Sequence, residues 1–271
     1  MAPKSDTPKS DTKRDAKSAA RNPAVSDQES AIGSSTAGIL LAENSNLVGR
    51  PQSLIDRLSP QDRERVRSIG TIKQFSRSEI LLSQGAFQDG ILLIESGLIR
   101  SFYTAPSGRQ ITLAYWLPGN FVGGPHIFGG PCMWSAVAAK KSTVVALPGE
   151  RLQQLAREIP DLAMQLLDAL SFKARCYSSL AQMLGTRTMF DRLVHVLIHL
   201  AETHGIPERN GELSVAAAFS HAEIANLIGA TRQWVTISLN RLQEQGVISQ
   251  KRGILVIRKP AALRQLSDEQ D

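Results

Sequence analysis

The pattern of apolar and polar positions changes twice along the chain. Residues 1–45 hold few large apolar side chains and are rich in Ser, Lys, Asp, Ala and Thr, with a Pro-Lys-Ser-Asp-Thr unit in tandem at 3–7 and 8–12. Such a stretch buries too little apolar surface to offset its ordering entropy, so it is expected to be a disordered extension. From 72 to 147, short apolar runs at 91–94, 98–103, 111–116 and 142–147 alternate with turn residues. Gly85, Gly97, Gly108 and Gly119 punctuate them at nearly even spacing. Short strands between regular glycine turns predict an antiparallel sandwich or barrel. Residues 60–69 read as one short helix before it. From 149 onward the period is helical. A helix over 149–159 stops at Pro160, and a longer one opens at Asp161. Its apolar or small positions Leu162, Leu166, Leu170, Ala174, Tyr177, Ala181 and Leu184 recur in steps of three and four. That spacing predicts one apolar face, suited to pairing with a second copy, or to packing on the preceding β domain alone.

Residues 188–259 carry the densest set of local signals. Thr188, with Asp191 three residues on, predicts the start of a helix whose apolar face is Leu193, Val196, Leu197 and Leu200. Gly205 and Pro207 end it. Ser220 to Glu223 has the form of a capping box, and Gly229-Ala230-Thr231 provides a tight turn and a fresh N-cap. The next helix, 232–245, buries Val235, Leu239 and Leu242. Two short strands, 247–249 and 254–257, then flank Lys251-Arg252-Gly253. Helix, glycine turn, helix and basic hairpin form the pattern of a winged helix-turn-helix.

The residue types on the outer face suit DNA. Arg232, Gln233, Thr236 and Asn240 lie opposite the buried positions. Arg pairs with guanine O6 and N7, Gln with adenine N6 and N7, and a short Thr meets a phosphate or a thymine methyl. Arg232 and Gln233 sit at the helix end that enters the major groove. Ser220 joins this set at the start of the first helix, and Lys251 and Arg252 at the wing tip are placed for phosphates. Trp234 packs under the wing or lies on the DNA backbone; packing is the reading taken. A winged helix that binds protein instead is the competing use of the module.

Charge and cysteine content narrow the class. Lys and Arg number 31 against 25 Asp and Glu, for a net charge of +6, which mildly favours a polyanionic partner. The cations of the N-terminal extension are read as a solvated tail. The two cysteines, Cys132 and Cys176, are too few for a disulfide framework or a cysteine-only metal site. No apolar run approaches the roughly 18 residues of a membrane helix, and the N-terminus lacks a signal-peptide core, so a cytoplasmic protein is expected. No phosphate-cradling lysine loop, nucleophile elbow or paired-histidine helix is present, so an enzyme is not expected.

The order of these segments resembles the superfamily of the cyclic-AMP receptor protein and the fumarate–nitrate reduction regulator. Residues 85–99, 108–113, 118–121, 222–229 and 231–236 are similar to its motifs. The resemblance implies an α+β fold: an N-terminal antiparallel β-roll like that of cyclic-nucleotide-binding domains, a long dimerisation helix and a C-terminal winged helix-turn-helix. The corresponding boundaries are 1–45 for the extension, 46–158 for the β-roll sensor, 159–186 for the dimerisation helix and 187–271 for the DNA-binding domain. It implies a homodimer on a palindromic double-stranded DNA site, with RNA polymerase as a candidate partner and an effector that is unknown.

Two departures stand out. Cyclic-AMP-binding members carry a Gly-Glu pair and then an Arg-Ser or Arg-Thr pair in the phosphate cassette. Here the stretch reads Gly123-Gly124-Pro125-His126 and then Met133-Trp134-Ser135-Ala136-Val137. Ser135 falls on the motif, but the Glu and the Arg are missing. Lys140 and Lys141 sit at an expected strand-to-strand turn, where a Lys head group prefers water. The candidate effector pocket is therefore Gly123, Gly124, His126 and Ser135, with Tyr177 and Ser178 near where relatives hold adenine, and cyclic AMP is not expected to be its ligand. Ile237 stands where many relatives place a base-reading Arg, so their half-sites do not transfer. His126, Cys132 and Met133 share one loop and are all competent haem or metal ligands. The reading taken is a hydrogen-bonded turn histidine and a buried cysteine, with no metal site. Cys176 is read as a packed thiol, an intersubunit redox link being the other option. A haem, redox or nucleotide-like sensor acting on a protein partner is the alternative function.

Overall fold

The structure is a computed structural model that describes residues 53–208, 210–215, 220–251 and 254–268. The N-terminal extension and Arg252 lie outside the described residues. The first helix, α1 (Pro60–Ser68), is capped by Ser59, whose side chain accepts from Asp62 N, and has proline in its first turn, where the missing N–H costs nothing.

Ten strands follow: β1 (Thr71–Phe75), β2 (Ile80–Leu82), β3 (Phe87–Gln88), β4 (Ile91–Ser96), β5 (Ile99–Thr104), β6 (Gln110–Trp116), β7 (Phe121–Val122), β8 (Gly130–Pro131), β9 (Ser135–Ala138) and β10 (Ser142–Leu147). They form two four-stranded antiparallel sheets, β1-β10-β4-β7 and β2-β9-β5-β6, with a small β3-β8 ribbon. Strand β4 shows why an unbroken apolar run is required. Its side chains alternate between faces, and both faces are covered. Ile91 and Leu93 enter a cluster with Leu54, Leu58 and the following helices, whereas Leu92 and Ile94 enter the roll interior with Ile99, Trp116 and Ala136. At Gly97 the turn needs a positive φ of 94°, and a Cβ would stand 2.2 Å from Ser142 Oγ and 2.5 Å from Lys141 O.

Helix α2 (Gly149–Glu158) leads through Ile159 into α3 (Pro160–Thr186). The single apolar face expected for α3 proves to be two stripes. One, Leu162, Leu166, Ala169, Lys173, Cys176, Leu180 and Met183, is buried against this chain's own cores. The other, Met164, Leu167, Ser171, Ala174, Ser178, Ala181 and Gly185, is exposed. Leu170, Tyr177 and Leu184 lie between the two, half-buried. The sequence spacing averaged the two stripes because both advance by three and four residues.

After Arg187 the chain re-enters a helix, α4 (Met189–His204), through a complete capping box between Thr188 and Asp191. Then come β11 (Gly205–Pro207), β12 (Leu213–Val215), α5 (His221–Ile228), α6 (Arg232–Glu244), β13 (Ile248–Lys251), β14 (Ile254–Ile257) and α7 (Pro260–Asp268). The wing sheet has the order β11-β12-β14-β13. Strands β11 and β12 escaped the sequence reading because three residues are too few to show alternation. Leu98 and Tyr115 of the roll join the core of this C-terminal unit, where α5 packs on β6. Among the described residues, no helix is long and apolar enough to cross a membrane.

Candidate DNA-binding face and effector cavity

Helix α5 starts at Ser220, whose hydroxyl accepts from Glu223 N at 3.2 Å while the Glu223 carboxylate accepts from Ser220 N at 2.8 Å. It ends at Gly229, with φ 71° and ψ 29°. A Cβ there would meet nothing closer than 3.5 Å, so the left-handed backbone, not crowding, selects glycine. Thr231 caps α6 by accepting from Trp234 N at 3.2 Å. Val235, Ser238, Leu239 and Leu242 hold α6 to the core.

The opposite face of α6 presents Arg232, Gln233 and Asn240 to solvent, together with Ile237 and Arg241. Thr236 is half-buried, and its hydroxyl bonds Arg232 O at 3.0 Å and His221 Nδ1 at 2.8 Å. It therefore also braces α5 against α6, a role invisible in the local spacing. Trp234 is half-buried against the C-terminal core. Lys251 pairs with Ile254 in the wing hairpin.

Arg192 was not singled out from the sequence. Its guanidinium donates to Arg187 O at 3.1 Å, Ile228 O at 2.7 Å and Leu184 O at 3.4 Å. One cation thereby satisfies carbonyls at the ends of α3 and α5 and complements both helix dipoles. Burial, helped by the Glu223 carboxylate of α5, pushes the Tyr115 phenol up to about 12, and Glu223 also acts electrostatically on Arg100. The side chain of Arg100 is held by Thr112 and Gln110 and lies over the Phe102 ring. The β-roll sheet and the first helix of the helix-turn-helix are in direct contact through β6.

A cavity of about 170 Å³ lies between the roll and α3. Gly123, Gly124 and Tyr177 line it, as do Trp116, Phe121, Trp134 and Lys173. The structure places the other three expected pocket residues elsewhere. Ser135 Oγ accepts from Gln84 N at 3.0 Å, Ser178 is exposed on α3, and His126 is buried with Nε2 3.1 Å from Pro131 O. Cys132 is buried in the roll interior, while Met133 is 66% exposed, so the loop's three ligand-competent residues have separate environments. Cys176 is fully buried, and burial pushes its thiol up to about 11.

The sequence reading found no cation for this pocket, and Lys173 corrects it. The Lys173 Nζ donates to Phe121 O at 2.8 Å and stands 3.2 Å from the Trp116 ring centroid and 4.7 Å from that of Phe121. Burial lowers its pKa from 10.5 to about 7. Trp116 Nε1 donates to Ser101 Oγ at 2.9 Å. Trp134 and Tyr177 also border an open apolar groove of about 400 Å³, lined by Tyr103, Leu113, Met133, Leu180 and Leu184. A lysine between Phe172 and Ala174 on a helix gave no local sign of burial; only the approach of α3 to β6 and β7 creates it.

A β-roll with a half-open cavity, joined by a helix to a winged helix-turn-helix, is the architecture of a DNA-binding regulator. Comparison with known proteins agrees. The family model of the cyclic nucleotide-binding domain matches residues 72–158, and that of the Crp-like helix-turn-helix domain matches residues 191–266. The chain belongs to the Crp/Fnr superfamily of transcription regulators. It is 29% identical over 197 residues to the global nitrogen regulator of Synechococcus elongatus, covering 72% of this chain and 88% of that protein. It is 26% identical over 180 residues to the transcriptional activator protein Anr of Pseudomonas protegens, covering 65% and 72%. The solved structure of the c-di-GMP-responsive global regulator CLP of Xanthomonas campestris superposes with a TM-score of 0.66 at 19% identity, covering 73% of this chain and 99% of that one.

Proposed function

We propose that this Crp/Fnr-type regulator is a cytoplasmic homodimer that reads a palindromic DNA site, gated by a small molecule in the roll cavity. On this reading residues 1–45 are an extension, 46–158 sense, 159–186 pair and 187–271 bind DNA. The observation that carries it is the exposed stripe of α3. Met164, Leu167, Ser171, Ala174, Ser178, Ala181 and Gly185 follow a strict three-four spacing, the seam of a two-stranded coiled coil. Five of the seven are small, which lets two helix axes approach closely. Two copies about that seam would present two α6 helices to half-sites one helical turn apart, roughly 34 Å.

Arg232 and Gln233 at the start of α6 would read bases, with Asn240 and Thr236 behind them. Ser220, Lys251 and Arg252 would hold phosphates. Gating has a short physical route. Neighbouring residues of β6 face opposite sides: Trp116 faces the cavity and Tyr115 faces α5. A ligand that shifts Trp116 would shift the surface on which the helix-turn-helix rests. Cyclic AMP is not the effector on this reading. The Glu and Arg of the cassette are absent, and the cavity is close in size to the roughly 150 Å³ that holds one benzene.

Light scattering of the full chain and footprinting on selected operators test the proposal. A dimer at micromolar concentration with two protected half-sites is expected. A monomer, or a single protected half-site, would falsify it.

A further inference from the structure

We propose that the cavity between the roll and α3 binds a small monoanionic organic acid with a flat apolar body about the size of one ring, its carboxylate pairing with Lys173 Nζ. The inference rests on the regulator reading above and specifies its effector class.

Charge is the first ground. An ammonium has three donors, and Lys173 uses one on Phe121 O. The rest of the head group faces the Trp116 and Phe121 rings. Among the described residues no carboxylate lies within 4 Å of it, although it is only 6% exposed. Lysine is almost never so buried without a partner. Ring faces compensate a cation partly, and one anion completes the balance. The titratable neighbours Cys176 and Tyr177, on the same helix, are held neutral by burial and do not supply that anion. Burial disfavours the charged form of Lys173, and an anion arriving beside it would favour that form again.

Shape and polarity are the second ground. About 170 Å³ admits a body near the size of a single ring. Trp116, Phe121, Trp134 and Tyr177 supply flat apolar walls, and the hydroxyl of Ser101 already serves Trp116 Nε1. Little remains to solvate a sugar or a dianion. Amines and other cations would meet Lys173 at close range.

The test uses the full chain, with benzoate and phenylacetate against the neutral isosteres benzamide and phenylacetamide. Binding is read by quenching of tryptophan fluorescence and by thermal shift. Each acid is expected to bind the wild type about 10- to 100-fold more tightly than its amide, the effect of one charge-assisted hydrogen bond. Lys173→Met should abolish that preference. Equal affinity for acid and amide overturns the proposal in the wild type alone, whatever the variant's folding. So does failure of both acids to bind at millimolar concentration, or binding of cyclic AMP more tightly than either acid. Dimeric operator binding, measured in parallel, separates the two readings. If it persists while the acids fail, only the effector class is wrong; if the wild type binds no DNA, the regulator reading itself falls.

Discussion

The outer face of α6 and the cavity beside α3 handle positive charge in opposite ways. On α6, Arg232 and Arg241 stand in water at the ends of an exposed row that also includes Ile237, while Val235, Leu239 and Leu242 are turned inward. In the cavity, Lys173 is enclosed by ring faces, and burial drags its pKa to about 7. A solvated cation is free to trade water and counterions for phosphates or bases, which suits a large polyanion met from outside. A buried cation has no water to give up, and it discriminates sharply by charge and size, which suits one small ligand. The α3 helix separates these regimes: its buried stripe carries Lys173, and its exposed stripe is free for a second copy.

The largest effect expected from this contrast lies on the exposed stripe. Ala181→Glu would set two like charges against each other at the seam and return the protein to a monomer. Losing the second half-site contact should weaken operator binding by about 10²–10⁴-fold. Ultracentrifugation with DNA titration checks this, and a variant that stays dimeric and keeps full affinity removes the seam from the account.

Next is the base-reading face. Arg232→Ala should cost about 1–3 kcal/mol at one base position and relax preference there. Equal loss for every base substitution in the site would reassign Arg232 to the phosphates.

The buried cation makes a prediction about pH. Lys173 is near 7 in the folded state against 10.5 unfolded, so between these values the unfolded chain binds more protons. The contribution of Lys173 to stability therefore rises with pH across that window, by up to about 1.4 kcal/mol per unit. Cys176, raised from 9.0 to about 11, acts in the opposite sense above 9, so the measurement belongs between pH 7 and 9. Urea denaturation should show wild type gaining relative to Lys173→Met across that range. Parallel curves would mean that Lys173 keeps its charge by another route.

The smallest effect concerns the local frame of α6. Thr231→Ala removes the cap on Trp234 N and should destabilise by about 1 kcal/mol, read by thermal melting.

How legible each region was follows from the range of its determinants. The caps at Thr188, Ser220 and Thr231 and the αL turn at Gly229 each depend on three or four consecutive residues, and all stood in the sequence. The strand β4 was legible for the same reason, as an unbroken apolar run. The role of Thr236 toward His221 was not, because it joins two helices across the turn. Ser135 and Ser178 were expected at the pocket from motif positions, yet the hydroxyl of Ser135 accepts from Gln84 N, and Ser178 is exposed on α3 and does not line the cavity.

What the sequence determined by itself is the order of units and the helix-turn-helix with its caps and its αL turn. Periodicity and capping are local, so they are legible without the fold. Tertiary structure alone decided that α3 carries two stripes, that Arg192 ties α3 to α5, and that Lys173 enters an aromatic cavity. Each of these depends on distances between segments far apart in the chain. The cost of burying a charge is set by what surrounds it, and the sequence around Lys173 names none of the rings it meets on β6 and β7.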